Sequence, residues 1–347
     1  MKRILQFIER VGWPRVIIAI FLLSLFIAAP FVRVRIDASI SDTLVRFGMN
    51  GVMVLAMVPM IQAGCGLNFG LPLGIIAGLV GAVTSIEMGI TGLAGILAAM
   101  VIAVPIATLL GLGYGILLNK VKGGEMMIAT YVGFSSVAFM CIMWLMLPYK
   151  SPNMVWGYAG AGLRTTISVE GYWDRAISNV ASFNFGEFFY CPTGMFLFFA
   201  FMCFLIWIFM HTKTGTAMTT VGSNPEYARS AGVDVDRMRI ISVILSTVLG
   251  AIGIIVYQQS FGFIQLYMGP FYMAFPAVAA ILIGGASVHK ATILNVVIGT
   301  FLFQGILTMT PSVINSLIET DMSEVIRIIV SNGMILYALT RVVKVRS

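Results

Sequence analysis

The chain has 347 residues, 59% of them apolar and only 10% charged, where a soluble domain carries roughly a quarter charged residues. That composition excludes a soluble cytosolic enzyme, a disordered segment and, despite a formal charge of +7, a nucleic-acid-binding module. At roughly 20 residues per crossing helix the apolar content fills about ten spans, so the chain reads as an integral membrane protein, almost entirely embedded.

In chain order, apolar runs separated by polar or Gly/Pro clusters place spans near 16–31, 47–64, 66–86, 92–118, 125–147, 194–210, 239–258, 271–287, 291–309 and 324–341. The run 262–275 is ambiguous and accommodates a short extra helix or a re-entrant piece. The N-terminal MKRILQFIERVGWPR precedes an apolar run without a small-residue cleavage site and reads as leading into a retained first span. Lys and Arg in the connections fall about two to one on the side of the N-terminus, which puts both termini in the cytoplasm. The expected fold is all-α and polytopic, N-in and C-in. It forms one transmembrane domain over 1–347, with an external loop at 148–193 and a cytoplasmic coupling region at 211–238.

The segment 66–86 carries Gly66, Gly70, Gly74 and Gly78 at four-residue spacing, a small-xxx-small face that lets helix backbones approach. Pro72 in its first half predicts a kinked or broken helix, because proline removes a donor and clashes with the preceding turn. Freed backbone groups at membrane depth must be covered by protein or line a watery cavity. The amides Gln62, Asn68 and Gln304 and the ring of Phe69 are therefore candidates for a solute pathway. Each amide is equally open to a plain bond between helices. The external stretch is rich in aromatics and glycines and suggests a cap with a short amphipathic helix near 173–180. It is a bilayer-surface loop or a docking surface for a solute-delivering protein.

The most informative polar stretch is HTKTGTAMTTVGSNPEYARSAGVDVDRMR at 211–239. Asn224 suits an N-cap, Pro225 the first helical position and Glu226 the positive end of the helix dipole. The spacing predicts a short helix from Pro225 to Ala231 that ends at Gly232 in a left-handed conformation. Such a capped helix between two spans is a lever that a partner can grip. The chain carries no phosphate-binding Gly-Lys-Ser/Thr loop, and Glu87, Glu125 and Glu324 all lie near span ends, away from the midplane where a coupled carrier needs a carboxylate. Four cysteines and two histidines show no metal-ligand spacing. No catalytic or metal site is expected, and no cofactor in this chain.

VGSNPEYARSAGVDVDRMR at 221–239, PAVAAILIGGASVHKATILNVVIGTFLFQGIL at 276–307 and AGCGLNFGLPLG at 63–74 carry a resemblance. Together they look like a permease of the bacterial ABC importers that handle ribose and other simple sugars, nucleosides and, in a more distant branch, branched-chain amino acids. Val288, His289 and Lys290 replace the family's Gly-rich continuation, and Leu71-Pro72-Leu73 depart from its usual motif after Asn68-Phe69-Gly70. The resemblance implies half of a solute pathway in the bacterial inner membrane, completed by a second permease, the same chain or a related one. It implies two cytoplasmic ATPase subunits, or a fused ATPase, that hold ATP and Mg, and a periplasmic or lipid-anchored substrate-binding protein. It also implies that Asn224, Pro225, Glu226, Ala228, Arg229 and Gly232 engage the ATPase. The solute expected is a simple sugar or nucleoside; a channel or secondary transporter working without an ATPase is the alternative.

Overall fold

The computed structural model describes residues 13–156, 162–185, 189–317 and 322–344. The membrane helices in chain order are α1 (Trp13–Ala28), α2 (Ile36–Leu55) with its continuation α3 (Met57–Gln62), α4 (Leu71–Glu87), α5 (Gly92–Lys120) and α6 (Glu125–Met146). After a cap come α7 (Thr193–Met210), the polar helices α8 (Lys213–Ser223) and α9 (Pro225–Ser230), and α10 (Val235–Phe261). The chain ends with α11 (Gly269–Ile283), α12 (Ile293–Leu317) and α13 (Ser323–Lys344).

Among the described residues seven helices are long and apolar enough to cross a membrane: 15–32, 36–62, 92–120, 125–146, 193–210, 235–261 and 293–316. Further apolar stretches are the helices Leu71–Glu87 and Gly269–Ile283 and, within α13, Val325–Met334. Each of the ten expected spans overlaps a helix, and seven of those helices are long and apolar enough to cross.

Burial sorts the helices. α4 is covered on nearly every side, with only Glu87 exposed; α5 and α10 pack most heavily against it, and α2, itself well buried, packs against α10 and α12. α1, α5, α6 and α7 present large apolar side chains outward, among them Leu97, Val101, Phe139 and Leu197, as helices do when their outer solvent is lipid.

The break expected at Pro72 sits earlier. Pro72 occupies the first turn of α4, where its missing N–H has no helical partner to lose, and the helix runs on unbroken to Glu87. The interruption is the turn 63–70, which passes through positive φ at Gly64 and Gly66. Of the four glycines spaced by four, Gly74 and Gly78 make the helix contact. A Cβ on Gly74 would lie 3.3 Å from the Gly250 Cα and closer still to the Thr247 carbonyl, and one on Gly78 would lie 2.5 Å from the Ala251 carbonyl. On the other side of α4, Gly81 faces Ala99 and Ala103 of α5.

At one end of the bundle the cap adds two short antiparallel pairs. β1 (Thr166–Ser168) pairs with β4 (Phe263–Gln265), Ile167 opposite Ile264, and β2 (Phe183–Phe185) pairs with β3 (Phe189–Cys191), Asn184 opposite Tyr190. The helix expected near 173–180 is instead a run of successive turns around the buried ring of Trp173. The amides of Arg175, Ile177 and Ser178 are taken by Gln259 at the end of α10, while most of the others close short local turns. Glu87 accepts the amides of Lys150 and Ser151, both at 3.1 Å, and so fixes the start of the cap.

Overpacking a close backbone contact costs about 1–3 kcal/mol or more. Gly78→Leu should therefore lower the melting temperature of the detergent-purified protein by several degrees or abolish its folded yield, whereas Gly113→Leu, at a position with nothing nearby, should leave both unchanged.

Candidate functional site

The polar stretch 211–238 folds into two helices. Thr212 caps α8 by accepting from the Gly215 amide at 3.2 Å. At its far end Gly222 lies flat against the turn 63–70: a Cβ there would come 2.9 Å from the Gly64 nitrogen and would overlap the Gln62 carbonyl. Asn224 then turns the chain in extended geometry, and its Oδ1 accepts the amides of Glu226 at 3.1 Å and Tyr227 at 3.0 Å. Pro225 follows at the first helical position.

α9 ends at Ser230, one residue before the expected limit, with Ala231 as its C-cap. Gly232 has φ 81°, and the Val233 amide reaches back to the Ala228 carbonyl at 2.9 Å. A Cβ at Gly232 would meet nothing within 4 Å, so glycine serves the backbone conformation there and not a tight fit. Asp234 caps α10 by accepting from the Arg237 amide at 3.0 Å.

Ala228 is wholly buried with Val221 and Val235, a small apolar core that ties α9 to the last turn of α8 and the first of α10. Glu226 and Arg229 are exposed, and so is Tyr227, at 63%. An exposed aromatic on a two-turn helix is the kind of anchor that protein interfaces favour.

The base of α10 is braced by the turn between α5 and α6. Lys122 Nζ and Asp236 Oδ1 pair at 2.6 Å in solvent, and Asn119 donates to the Asp236 carbonyl at 2.8 Å. Arg239 and Glu125 pair at 2.5 Å with both side chains largely buried. Removing one partner from such a buried pair strands the other at a cost of about 3–5 kcal/mol. Cavities of about 460 and 480 Å³ flank α9, and Ser223, Pro225, Val235 and Arg239 line both. The second reaches His289, in a turn held by Arg15, which donates to the Gly285 carbonyl at 2.7 Å, and by Asn295, which donates to Gly284 at 2.8 Å.

The expected pathway residues divide. Gln62, Asn68 and Phe69 lie at the turn between α3 and α4. Gln62 donates to the Ala291 carbonyl. Asn68 is fully buried; it donates to Ser246 Oγ at 2.8 Å and accepts from the Tyr114 hydroxyl at 3.2 Å, while Ser246 donates onward to the Ala56 carbonyl at 2.6 Å. Phe69 lies 6.1 Å from Phe275, centroid to centroid. Gln304 is separate from this turn, buried on α12 one turn from Thr300 and Thr308.

Three residues were not singled out from the sequence. Tyr227 stood in plain view inside the short helix. Gln258 and Gln259 ended an apolar run, where amides suit a membrane interface, yet both are wholly buried. Both the oxygen and the nitrogen of the Gln259 amide are hydrogen-bonded, whereas neither amide atom of Gln258 has a partner among the described residues.

A helical bundle with lipid-facing outer helices belongs, as a class, to the multi-pass membrane proteins. Residues 39–338 match the family described as the branched-chain amino acid transport system / permease component, and the chain belongs to that family, a permease family of ABC-type transport systems located in the bacterial inner membrane. The chain is also similar to a tyrosine transport system permease protein of Clostridioides difficile (strain R20291), 24% identical over 194 residues. That match takes in 54% of this chain and 64% of the relative, so the chain spans less than two thirds of the relative's length. No solved structure matches it.

A β-branched residue at positive φ costs about 1–2 kcal/mol, and loss of an N-cap about 1 kcal/mol. Gly232→Val and Asn224→Ala should leave membrane insertion intact and speed amide hydrogen exchange at Tyr227 and Ala228 by roughly five- to thirtyfold. Unchanged protection in both variants would contradict this view of the cap and stop.

Proposed function

We propose that this chain is the membrane subunit of an ATP-driven importer and forms half of its solute pathway. A second permease, identical or related, forms the other half, and ATP and Mg are bound by separate ATPase subunits. The observation that carries this reading is α9, a two-turn helix capped by Asn224 and stopped by Gly232. Buried Ala228 ties it to α10, and Tyr227 and Arg229 are free to be gripped. Its place within the family match supports an ATPase as the partner. On this reading α4, α11 and α13 complete ten crossings, residues 211–238 face the cytoplasm, and the cap at 148–193 faces outward to receive a substrate-binding protein.

The pathway residues in this reading are Gln62, Asn68, Phe69 and Gln304, with Gln258 added because a buried amide without a partner is costly to keep. In the resting arrangement Asn68 and Gln62 hold helices together. A solute amide, carboxylate or hydroxyl competes for the same bonds when the turn 63–70 moves. The solute is a small polar metabolite. The family's description and the tyrosine-transporting relative favour an amino acid over the simple sugar or nucleoside that the sequence motifs suggest.

The test is reconstitution of the chain with its copurifying ATPase and binding protein in liposomes, offered tyrosine, branched-chain amino acids, ribose and nucleosides. ATP-dependent uptake of an amino acid is expected, and Gly232→Val should reduce it at unchanged protein level. Uptake by the purified chain with no ATPase present would overturn the reading in favour of a channel or secondary carrier.

A further inference from the structure

α10 is a long, uninterrupted rod. α5, α11 and α12 carry internal prolines at 105, 276 and 311, whereas Val235–Phe261 has none. At 1.5 Å per residue it is about 40 Å long, enough to cross the whole bilayer. Its first residue, Val235, packs against Ala228 of α9.

Its last turn is clasped by the cap. Gln259 Oε1 accepts the amides of Ile177 at 3.2 Å and Ser178 at 3.4 Å, while its Nε2 donates to Ser178 Oγ at 2.9 Å. The Gln259 carbonyl accepts the Arg175 amide at 2.7 Å, and Arg175 adopts φ 49°, a conformation that a non-glycine residue takes only when its surroundings impose it. The Gly262 carbonyl accepts the Val169 amide at 3.1 Å, and β4 continues the chain into pairing with β1. Every atom of the Gln259 amide is therefore spent on the cap from a fully buried position.

We propose that Gln259 is a positioning residue that makes the cap and the α9 helix move together, so that the nucleotide state read at α9 is delivered to residues 169–178 through α10. The clasp bonds the cap to the rod's end by main chain and side chain alike. A shift or rotation of α10 must then carry the turn 175–178 with it or break buried hydrogen bonds. This rests on the proposed docking of an ATPase on α9.

The test uses the assembled permease and ATPase in nanodiscs, nucleotide-free and held with ATP and vanadate. Hydrogen exchange is followed at the amides of Arg175, Ile177 and Ser178. In the unsubstituted complex exchange at these amides should differ between the two states by about fivefold or more, the scale of one hydrogen bond's net contribution. Gln259→Leu should abolish the difference while the permease still stimulates ATP hydrolysis. Gln259→Glu, which keeps the acceptor, should retain it, and Ser178→Ala, a milder change for use if the leucine variant does not fold, should reduce it. A merely structural role would raise exchange in both states and leave their ratio intact, which would overturn the proposal. So would cap amides in the unsubstituted complex that exchange equally in the two states. Failure of the unsubstituted permease to stimulate the ATPase at all would instead overturn the docking of α9, a separate result.

Discussion

The structure depends on one backbone contact, the seating of α10 on the glycine face of α4. In lipid, apolar side chains gain little by leaving their surroundings for one another, so helices associate through close packing and the few polar bonds it permits. Gly74 and Gly78 bring α4 against Thr247, Gly250 and Ala251 closely enough that no side chain fits between. The same closeness lets Asn68, just before α4, reach Ser246 on α10 and, through it, the carbonyl of Ala56. Three elements of the inner bundle are joined there by two hydrogen bonds and a stripe of missing side chains.

With α10 fixed in that seat, its two ends acquire their meaning. One end emerges beside the α5–α6 turn, where the Arg239–Glu125 and Lys122–Asp236 pairs hold it sideways. The buried pair matters more, because the exposed one is screened by water and salt. The other end is bound into the cap by Gln259 and Gly262. A partner that grips α9 thus has a short lever whose nearest rigid attachment is the helix at the centre of the bundle. That arrangement suits a permease driven from outside its own chain better than a carrier that senses solute alone.

Much of this was legible in the sequence, for definite reasons. The α9 cap and stop follow from local chemistry, Asn before Pro and Gly at the end, and local chemistry survives into the fold; the helix differs only at Ala231. The glycine spacing in 66–86 announced a close helix contact but could not say which neighbour would use it, since α10 lies over 150 residues away in sequence. Pro72 was ambiguous because a proline in the first turn and a proline in mid-helix look alike until the helix start is known. The cap was the least legible part. Its turns at 171–181 are held by the end of α10, a nonlocal partner, so local periodicity suggested a helix that the fold does not contain. The amides Gln258 and Gln259 were hidden for a similar reason, since their place at the end of an apolar run mimics an interfacial position.

The central claim is that the helix 225–230 lies on the cytoplasmic face and is covered there by an ATPase, and thiol labelling at its exposed aromatic tests it most directly. A Tyr227→Cys chain, compared with the unsubstituted chain as background, would be treated with a membrane-impermeant maleimide in intact cells and in inverted vesicles, with and without the copurifying ATPase. The expected result is no reaction in intact cells, ready reaction in inverted vesicles, and protection once the ATPase is bound. Labelling from outside intact cells, or full labelling with the ATPase in place, would contradict it.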